Sequence, residues 1–245
     1  MNRNITQAII LAAGRGKRLG KIGNNYPKTL IEIQGITLLE RITNGLSRLN
    51  FSLVRIITGF KADLIDSKIT NLNHSQSFQI KTIRNPYFLE YGSFYSLLLG
   101  LRELDSDGVL VFDSDIIFDE KLFEEIARYV NFNNSALFTT NVTTNKDKVI
   151  VGKNSNLISK LGKIEKIQLD PKETISEYIG ILFLNREAIN VLCKIESKYF
   201  KLEYEDVINL LLAKIPFVEI NLGNLHWNEI DTLEDLNLVH SIWSG

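Results

Sequence analysis

The chain contains 245 residues, of which 44% are hydrophobic and 23% are charged, and its formal net charge at pH 7 is -1. A chain of this length and apolar content can bury a sizeable core, and we expect one domain that spans residues 1–245. Balanced acid and base argue against a nucleic-acid-binding surface, and because every uncharged apolar stretch falls far short of the roughly 20 residues that a membrane span needs, we expect a cytoplasmic protein without membrane insertion.

Strands and helices alternate regularly in the first half of the chain. Apolar residues over 5–12 and 53–58 predict buried strands, and apolar positions at helical spacing over 38–49 predict a helix between them. The elements predicted next are a strand over 79–84, a helix over 93–104, a strand over 108–112 and a helix around 122–130. This alternation is typical of a parallel, doubly wound sheet.

Shorter strands replace this alternation after residue 134. We expect them over 136–142, 148–151, 163–169 and 177–184, which indicates a mixed sheet or an antiparallel lid. Helices over 185–197 and 203–214, a strand over 217–222 and a helix that begins at Thr232 follow. The spacing from Thr232 to Asp235 predicts a capping box at the start of that helix.

Few side chains of the sequence suit covalent or zinc chemistry. Cys193 is the only cysteine, which excludes an internal disulfide, and its apolar neighbours predict a buried helix position rather than a nucleophile. The histidines His74, His226 and His240 are too scattered to form a zinc site. The chemistry of the chain is therefore expected from its glycines, cations and carboxylates.

A glycine-rich, basic loop follows the first predicted strand. Its glycines let the backbone approach a ligand closely, since glycine has no side chain and tolerates positive φ. They are Gly14, Gly16, Gly20 and Gly23, and the basic residues among and after them are Arg15, Lys17, Arg18, Lys21 and Lys28, with no acid between. This positive field predicts a polyphosphate ligand. Leu19 stands where a dinucleotide fingerprint needs its third glycine, and the P-loop pattern also fails.

The arrangement L-A-A-G-x-G-x-R-L-G followed by P-K resembles the signature loop of nucleotidyltransferases that join a nucleoside triphosphate to a phosphorylated small molecule and release pyrophosphate. In that family the loop wraps the triphosphate. The resemblance implies that Arg18 contacts the β and γ phosphates and that Lys28 lies near the α-phosphate, so that both are catalytic. The nucleotide-binding residues that it implies are Leu11, Ala12, Ala13, Gly14, Arg15, Gly16, Lys17, Arg18, Lys28 and Ser96. The alternative is an ordinary glycine-rich turn with solvated lysines.

The same resemblance implies a Rossmann-like three-layer α/β/α sandwich with a mostly parallel mixed sheet and a small antiparallel lid. It also assigns a metal site. Carboxylates follow two predicted strand ends, at Asp113 and Asp115 and at Asp231, and such ends form the ligand crevice of open α/β sheets. In the family, aspartates that match Asp115 and Asp231 bind the catalytic Mg²⁺, an ion that prefers oxygen ligands. The choice between Asp113 and Asp115 stays open, as does the alternative that these residues only cap a helix or tighten a turn.

Segments in the middle of the chain resemble cytidylyltransferases of the phosphocholine and 2-aminoethylphosphonate type. Residues 85–87 and 91–97 look like the stretch beside the nucleobase, and residues 177–181 and 204–206 look like segments of the acceptor pocket. Ser176 departs from the glycine that the family often has there. The substrate-binding residues implied are Glu177, Tyr178, Tyr204, Glu205, Asp206 and Trp227.

Carboxylates interleaved with aromatic rings are the groups that hold an ammonium ion, although acids at a helix N-terminus are also common without a ligand. The resemblance, together with these residues, implies a Mg²⁺-dependent cytidylyltransferase that transfers CMP from CTP to a small phosphorylated or phosphonylated amino alcohol. The alternatives are a sugar-1-phosphate nucleotidylyltransferase and an inactive nucleotide-sensing module of the same fold. The sequence leaves open the choice of CTP or UTP, the acceptor and whether the protein forms a homodimer.

Overall fold

A computed structural model describes residues 7–72, 76–129, 133–142, 149–154, 157–163, 168 and 172–243. The strands are β1 (Gln7–Ala12), β2 (Glu32–Ile33), β3 (Ile36–Thr37), β4 (Leu53–Thr58), β5 (Gln79–Arg84), β6 (Gly108–Asp113), β7 (Ile116–Phe118), β8 (Ser135–Thr140), β9 (Val149–Asn154), β10 (Leu157–Lys163), β11 (Thr174–Asn185), β12 (Phe217–Asn221) and β13 (Trp227–Glu229). The helices are α1 (Lys21–Asn25), α2 (Leu38–Leu46), α3 (Ala62–Leu72), α4 (Ser93–Leu101), α5 (Lys121–Tyr129), α6 (Arg186–Leu192), α7 (Tyr204–Leu211) and α8 (Leu233–Ile242). Short 3₁₀ helices cover Lys17–Leu19, Lys28–Leu30 and Ser197–Tyr199.

One large sheet has the strand order β5-β4-β1-β6-β11-β8-β12-β10-β9. Its first four strands are parallel, whereas β11 runs antiparallel to both β6 and β8. β9 and β10 form an antiparallel hairpin, and β9 also pairs with β11. The predicted mixed, mostly parallel α/β architecture with added antiparallel strands is confirmed.

Helices cover the sheet on two sides because successive side chains of a strand point to opposite faces. Ala8 and Ile10 of β1 share one apolar cluster with residues of α2, α3 and α5. Ile9 and Leu11 share the other cluster with residues of α4, α6 and α7. The carboxyl ends of β1 and β6 therefore open at one edge between the two helical layers.

A third apolar cluster ties the loop after β1 to the C-terminal part of the chain. Leu19 of the loop is fully buried. It packs in one cluster with Ile117 of β7, with Ile230, which precedes α8, and with Leu236 of α8. The capping box predicted at Thr232 and Asp235 is confirmed, and it begins α8 directly after Asp231. This packing brings the basic loop beside the C-terminal carboxylates.

Several element predictions need correction. Of the strand expected over 163–169, only residues 163 and 168 are described: Lys163 ends β10, Leu157–Lys163, and residue 168 is not in a strand. Residues 5, 6, 74, 130 and 148 also lie outside the described residues. Helix α4 ends at Leu101 rather than at 104, because the backbone of Arg102 is extended, with ψ of 138°. The guanidinium of Arg55 binds the carbonyl oxygens of Gly100, Arg102 and Glu103 at this end.

The prediction that Cys193 is a buried helix residue is wrong. Helix α6 ends at Leu192, so that Cys193 lies at its C-cap and is exposed. Among the described residues, none of the helices is long and apolar enough to span a bilayer.

Candidate active site

The glycine-rich loop folds tightly over the side chain of Lys28. Gly16 has φ of 60°, and a Cβ on it would lie 2.7 Å from Cγ of Lys28. A Cβ on Gly23 would lie 2.0 Å from the carbonyl oxygen of Gly16. Both positions therefore require glycine, because the loop packs closely against the Lys28 side chain at Gly16 and against its own backbone at Gly23.

Lys28 lies between two of the predicted metal ligands. Its Nζ donates a hydrogen bond of 2.7 Å to Oδ2 of Asp115 and also contacts Oδ1 of Asp231. Burial opposes the charge of the lysine, but the two carboxylates outweigh it and raise the pKa of Lys28 above its usual range. Arg18 pairs with the other carboxylate oxygen of Asp231. The two cations lower the pKa of Asp231, although burial acts to raise it.

A two-stranded ribbon positions the carboxylates. β7 pairs antiparallel with β13, which sets Glu229 opposite Ile116, and the Ile230 amide donates to the Asp115 carbonyl oxygen at 2.9 Å. One carboxylate oxygen from each of Asp115, Glu229 and Asp231 lies within 4.8 Å of the others. Three carboxylates at this spacing fit the oxygen ligands that Mg²⁺ prefers. Reasoning from the sequence alone misses Glu229, although its i,i+2 spacing from Asp231 is a signal for it.

A cavity of about 540 Å³ extends from this cluster. Its lining residues come from the loop, from the strand ends and from the first turns of α4 and α7. They are Leu11, Ala13, Gly14, Arg18, Lys28, Asn85, Phe88, Tyr91, Gly92, Ser93, Ser96, Asp113, Asp115, Val149, Lys163, Glu203, Tyr204, Glu205, Glu229 and Asp231. The cavity therefore has a cationic end at the loop and an acidic, aromatic end at α7.

Asp113 belongs to the acidic end rather than to the carboxylate cluster. Its Oδ2 accepts a hydrogen bond of 2.7 Å from the hydroxyl of Tyr204, which lies 3.1 Å from the hydroxyl of Tyr178. Burial is the largest cause that raises the pKa of Asp113 well above its usual value, and the negative charges of Glu205 and Asp115 act in the same direction. Gly180, with φ of 75°, makes room for this carboxylate, since a Cβ there would lie 2.9 Å from Oδ2.

Glu205 carries a buried carboxylate oxygen in the cavity wall. Its Oε2 has no hydrogen-bond partner among the residues that the structure describes. Burial raises the pKa of Glu205 to about 8, and the carboxylates of Glu203 and Glu229 act in the same direction. The group is therefore placed to receive a cation or a hydrogen-bond donor.

Hydrogen bonds connect the N-termini of α4 and α7 beside the cavity. The Tyr204 amide donates to Oγ of Ser93 at 2.8 Å, and the Ser93 amide donates to Oε2 of Glu203 at 3.1 Å. A Cβ on Gly92 would lie 2.1 Å from the Leu202 carbonyl oxygen, so only glycine permits this approach. The junction fixes Tyr204 relative to the α4 wall of the cavity.

Some predicted substrate residues lie elsewhere. Glu177 is buried on β11, opposite Thr140 of β8, and Trp227 donates from Nε1 to Oγ1 of Thr140 at 3.0 Å. The residues lining the cavity do not include Glu177, Asp206 or Trp227. Tyr178 does not line it either, but its hydroxyl contacts that of the lining residue Tyr204. The sequence patterns do not single out the cavity residues Lys163, Glu203 and Val149, because a rim position has no local sequence signature.

The predicted loop residues divide between this cavity and two adjoining hollows. A hollow of about 430 Å³ is lined by Arg15, Gly16, Lys17, Arg18, Lys28, Phe88, Leu89 and Asp231. A smaller one, of about 80 Å³, is lined by Leu11, Ala12, Gly14, Gly16, Lys28, Thr29, Ser114 and Asp115. Ser96 accepts a hydrogen bond of 2.9 Å from Nδ2 of Asn85 on the α4 side of the cavity.

Comparison with known proteins identifies the family of the chain. Residues 8–166 match the MobA-like NTP transferase domain. The bifunctional protein GlmU of Methanococcus aeolicus is 28% identical over 94% of this chain and 52% of that protein, so the chain spans about half the length of such relatives. The choline-phosphate cytidylyltransferase of Streptococcus pneumoniae is 24% identical over 96% of this chain and 97% of its own.

Solved structures share the fold. The inositol-1-phosphate CTP transferase from T. maritima superposes with a TM-score of 0.80 at 20% identity, over 99% of this chain and 96% of that one. The CTP:phosphocholine cytidylyltransferase from Streptococcus pneumoniae gives 0.78 at 19% identity, over 98% and 100%. The predicted resemblance to nucleotidyltransferases is thus confirmed, and the chain belongs to the family of MobA-like NTP transferase domains.

Proposed function

We propose that this chain is a Mg²⁺-dependent cytidylyltransferase that transfers CMP from CTP to a small phosphorylated or phosphonylated amino alcohol and releases pyrophosphate. The observation that carries the proposal is the 540 Å³ cavity, in which Lys28 and the carboxylate cluster face the same space as Tyr204 and Glu205. A phosphate group can therefore meet the cationic end while an amine on the same molecule meets the acidic end.

The loop offers cations to a triphosphate. Arg15, Lys17, Arg18 and Lys28 all line the 430 Å³ hollow. The Nε of Arg15 is buried and lacks a hydrogen-bond partner among the described residues, and its guanidinium lies 5.5 Å from the centroid of the Phe60 ring. A buried, unpaired donor in a basic hollow favours an anionic ligand.

Asp115, Glu229 and Asp231 would hold the Mg²⁺. A metal bound there would neutralise charge on the phosphates. Lys28, once released from the carboxylates, would stabilise the charge that gathers on the α-phosphate, and Arg18 would hold the departing pyrophosphate. An oxygen of the acceptor phosphate bonds to the α-phosphorus as the bond from that phosphorus to the pyrophosphate oxygen breaks. The acceptor is already an anion near neutral pH, so this step needs no general base.

The acceptor side combines one cation with several acids. Lys163, at the end of β10, lies on the cavity wall and can meet the acceptor phosphate. Glu205 has a buried oxygen that lacks a hydrogen-bond partner among the described residues and is available to the amine, and Tyr91 and Tyr204 also line this end of the cavity.

Pyrophosphate release tests the proposal across the four nucleoside triphosphates combined with phosphocholine, phosphoethanolamine, 2-aminoethylphosphonate and glucose 1-phosphate. We expect turnover with CTP and an amine-bearing acceptor, and its loss in EDTA. Release with none of these pairs would contradict the proposed activity.

A sugar-1-phosphate nucleotidylyltransferase is the second candidate. The observation in its favour is that relatives at 28% identity include the GlmU proteins and a sugar-1-phosphate nucleotidylyltransferase/acetyltransferase of Sulfurisphaera tokodaii. The acidic end of the cavity favours an amine-bearing acceptor instead, because Asp113, Glu203, Glu205 and Glu229 all line it and a cation is attracted to several carboxylates at once. Turnover with glucose 1-phosphate alone would decide for this candidate.

A further inference from the structure

We infer that the acidic end of the cavity selects a primary ammonium group over a quaternary one, with Glu205 as the residue that sets this specificity. The inference rests on the proposed function and adds to it the kind of amine that the acceptor carries.

Glu205 carries a side-chain oxygen without a hydrogen-bond partner among the described residues. Oε2 is buried in the cavity wall and accepts no hydrogen bond from any residue that the structure describes. A buried acceptor that stays unpaired destabilises the protein, and such atoms are rare in native structures. A bound ligand with an N–H group would satisfy this oxygen.

The hydroxyl groups of Tyr204 and Tyr178 do not serve Glu205, because their hydrogens are used in other hydrogen bonds. Tyr204 donates its hydroxyl hydrogen to Oδ2 of Asp113 at 2.7 Å. Tyr178 is then the donor in its 3.1 Å hydrogen bond to Tyr204, since the single hydrogen of Tyr204 is used. Neither tyrosine therefore supplies the donor that Oε2 lacks among the described residues, and an N–H group of a ligand can supply it.

Primary and quaternary ammonium groups differ in how they can meet this wall. A primary ammonium carries three N–H donors, whereas a trimethylammonium carries none and depends on aromatic faces. A trimethylammonium would bury the Glu205 oxygen without a hydrogen bond. A site built to bond an N–H group rejects the analogue that lacks it.

The aromatic residues at this end are poorly placed to form a cage. The ring of Tyr91 packs against Tyr87, Tyr95 and Phe200, with centroid distances of 5.3, 4.9 and 5.6 Å. Tyr204 is only 2% exposed and its hydroxyl is bound to Asp113. Little aromatic surface is therefore available to a ligand at this end of the cavity. Carboxylate groups are numerous there: Asp113, Glu203, Glu205 and Glu229.

A series of acceptors with one phosphate and increasing N-methylation tests the inference. It comprises phosphoethanolamine, its N-methyl and N,N-dimethyl forms, and phosphocholine, each assayed for kcat/KM with CTP and Mg²⁺. We expect kcat/KM to fall along the series by about tenfold or more. The steepest step should come last, where the final N–H donor disappears.

Glu205→Gln provides the matching test on the protein. We expect the ratio of kcat/KM for phosphoethanolamine to that for phosphocholine to fall by about tenfold, through KM for the primary amine, with CTP binding retained. Asp206→Asn removes a carboxylate one residue further along α7, outside the cavity lining, and should change the ratio less. Thermal unfolding and CTP affinity verify that each variant is folded.

Different failures separate the inference from the proposed function. Equal or better turnover of phosphocholine in the wild-type protein, or an unchanged ratio in a folded Glu205→Gln variant, overturns the selection of a primary ammonium while the cytidylyltransferase stands. Turnover of glucose 1-phosphate and of no amine overturns the proposed function and the inference together.

Discussion

Nζ of Lys28 lies 2.7 Å from Oδ2 of Asp115 and also contacts Asp231, so that the lysine expected at the α-phosphate fills the space between two expected metal ligands. Lysine and metal cannot both occupy that space. Phosphates that attract Lys28 and Arg18 away from the carboxylates would free the oxygens for the ion. Triphosphate and metal should therefore strengthen each other's binding, by the reciprocity that linked equilibria require.

Lys28→Met tests this competition in the protein without nucleotide. Methionine keeps an unbranched stem against Gly16 but removes the charge, so we expect the affinity for Mn²⁺ to rise by about tenfold or more, the equivalent of about 1.4 kcal/mol. Titration of free Mn²⁺ by electron paramagnetic resonance measures it.

Lys21→Met is the control for that titration, because Lys21 lies exposed on α1, close in sequence to the same loop. It should leave Mn²⁺ affinity unchanged. Equal Mn²⁺ affinity of wild type and Lys28→Met would show that the lysine does not compete with the metal.

Removal of a single ligand charge should abolish turnover without unfolding the protein. We expect Asp115→Asn and Asp231→Asn each to lower kcat by orders of magnitude, since each weakens the proposed metal site and also removes a partner of Lys28. EDTA should have the same effect on the wild-type protein, and circular dichroism should be unchanged. Full activity of either variant would remove that residue from the ligand set.

Burial of Glu205 predicts a pH-dependent stability. Its pKa in the folded protein is about 8 against a usual 4.5, so the folded state binds the proton more tightly than the unfolded state does. Stability from this group is therefore complete below pH 4.5 and is lost as the pH rises towards 8. The charged groups that reinforce this shift are the carboxylates of Glu203, Asp206 and Glu229.

Glu205→Gln should consequently raise the melting temperature relative to wild type at pH 8.5 and by much less at pH 5. Differential scanning calorimetry at both values measures the difference. A stabilisation that is equal at the two pH values would assign the effect to packing rather than to ionisation.

The sheet and the loop could be predicted because their signals are local. β6 is an uninterrupted apolar run that ends in Asp113, and the loop after β1 combines glycines and cations within a short span. Helix α3 also has a local signal, in the spacing of Ala62, Ile65 and Ile69, although it is absent from the predicted elements.

The composition of the cavity could not be predicted in the same way, because it depends on which distant segments meet. Lys163 reaches the cavity only because β10 ends there, and no pattern around it distinguishes it from a solvated lysine. Glu177 and Glu205 are both glutamates beside a tyrosine, and the sequence does not distinguish them. Glu177 is buried on β11 opposite β8, whereas Glu205, at the start of α7, lines the cavity. The error at Cys193 arose because α6 ends at Leu192, well before the predicted end at 197, a boundary that tertiary packing decides.

Lys163 is a cation of the cavity wall that lies outside the glycine-rich loop. If it meets the acceptor phosphate, Lys163→Met should raise KM for a phosphorylated acceptor by about 10- to 100-fold and leave KM for CTP nearly unchanged, since a charge-assisted hydrogen bond contributes about 1.5 to 3 kcal/mol. Lys160→Met is the matched control, because Lys160 lies on the same strand but pairs with Glu173. Steady-state kinetics with each substrate varied in turn distinguishes the two effects. A rise in KM for CTP alone, or equal changes in both variants, would place Lys163 outside the acceptor site.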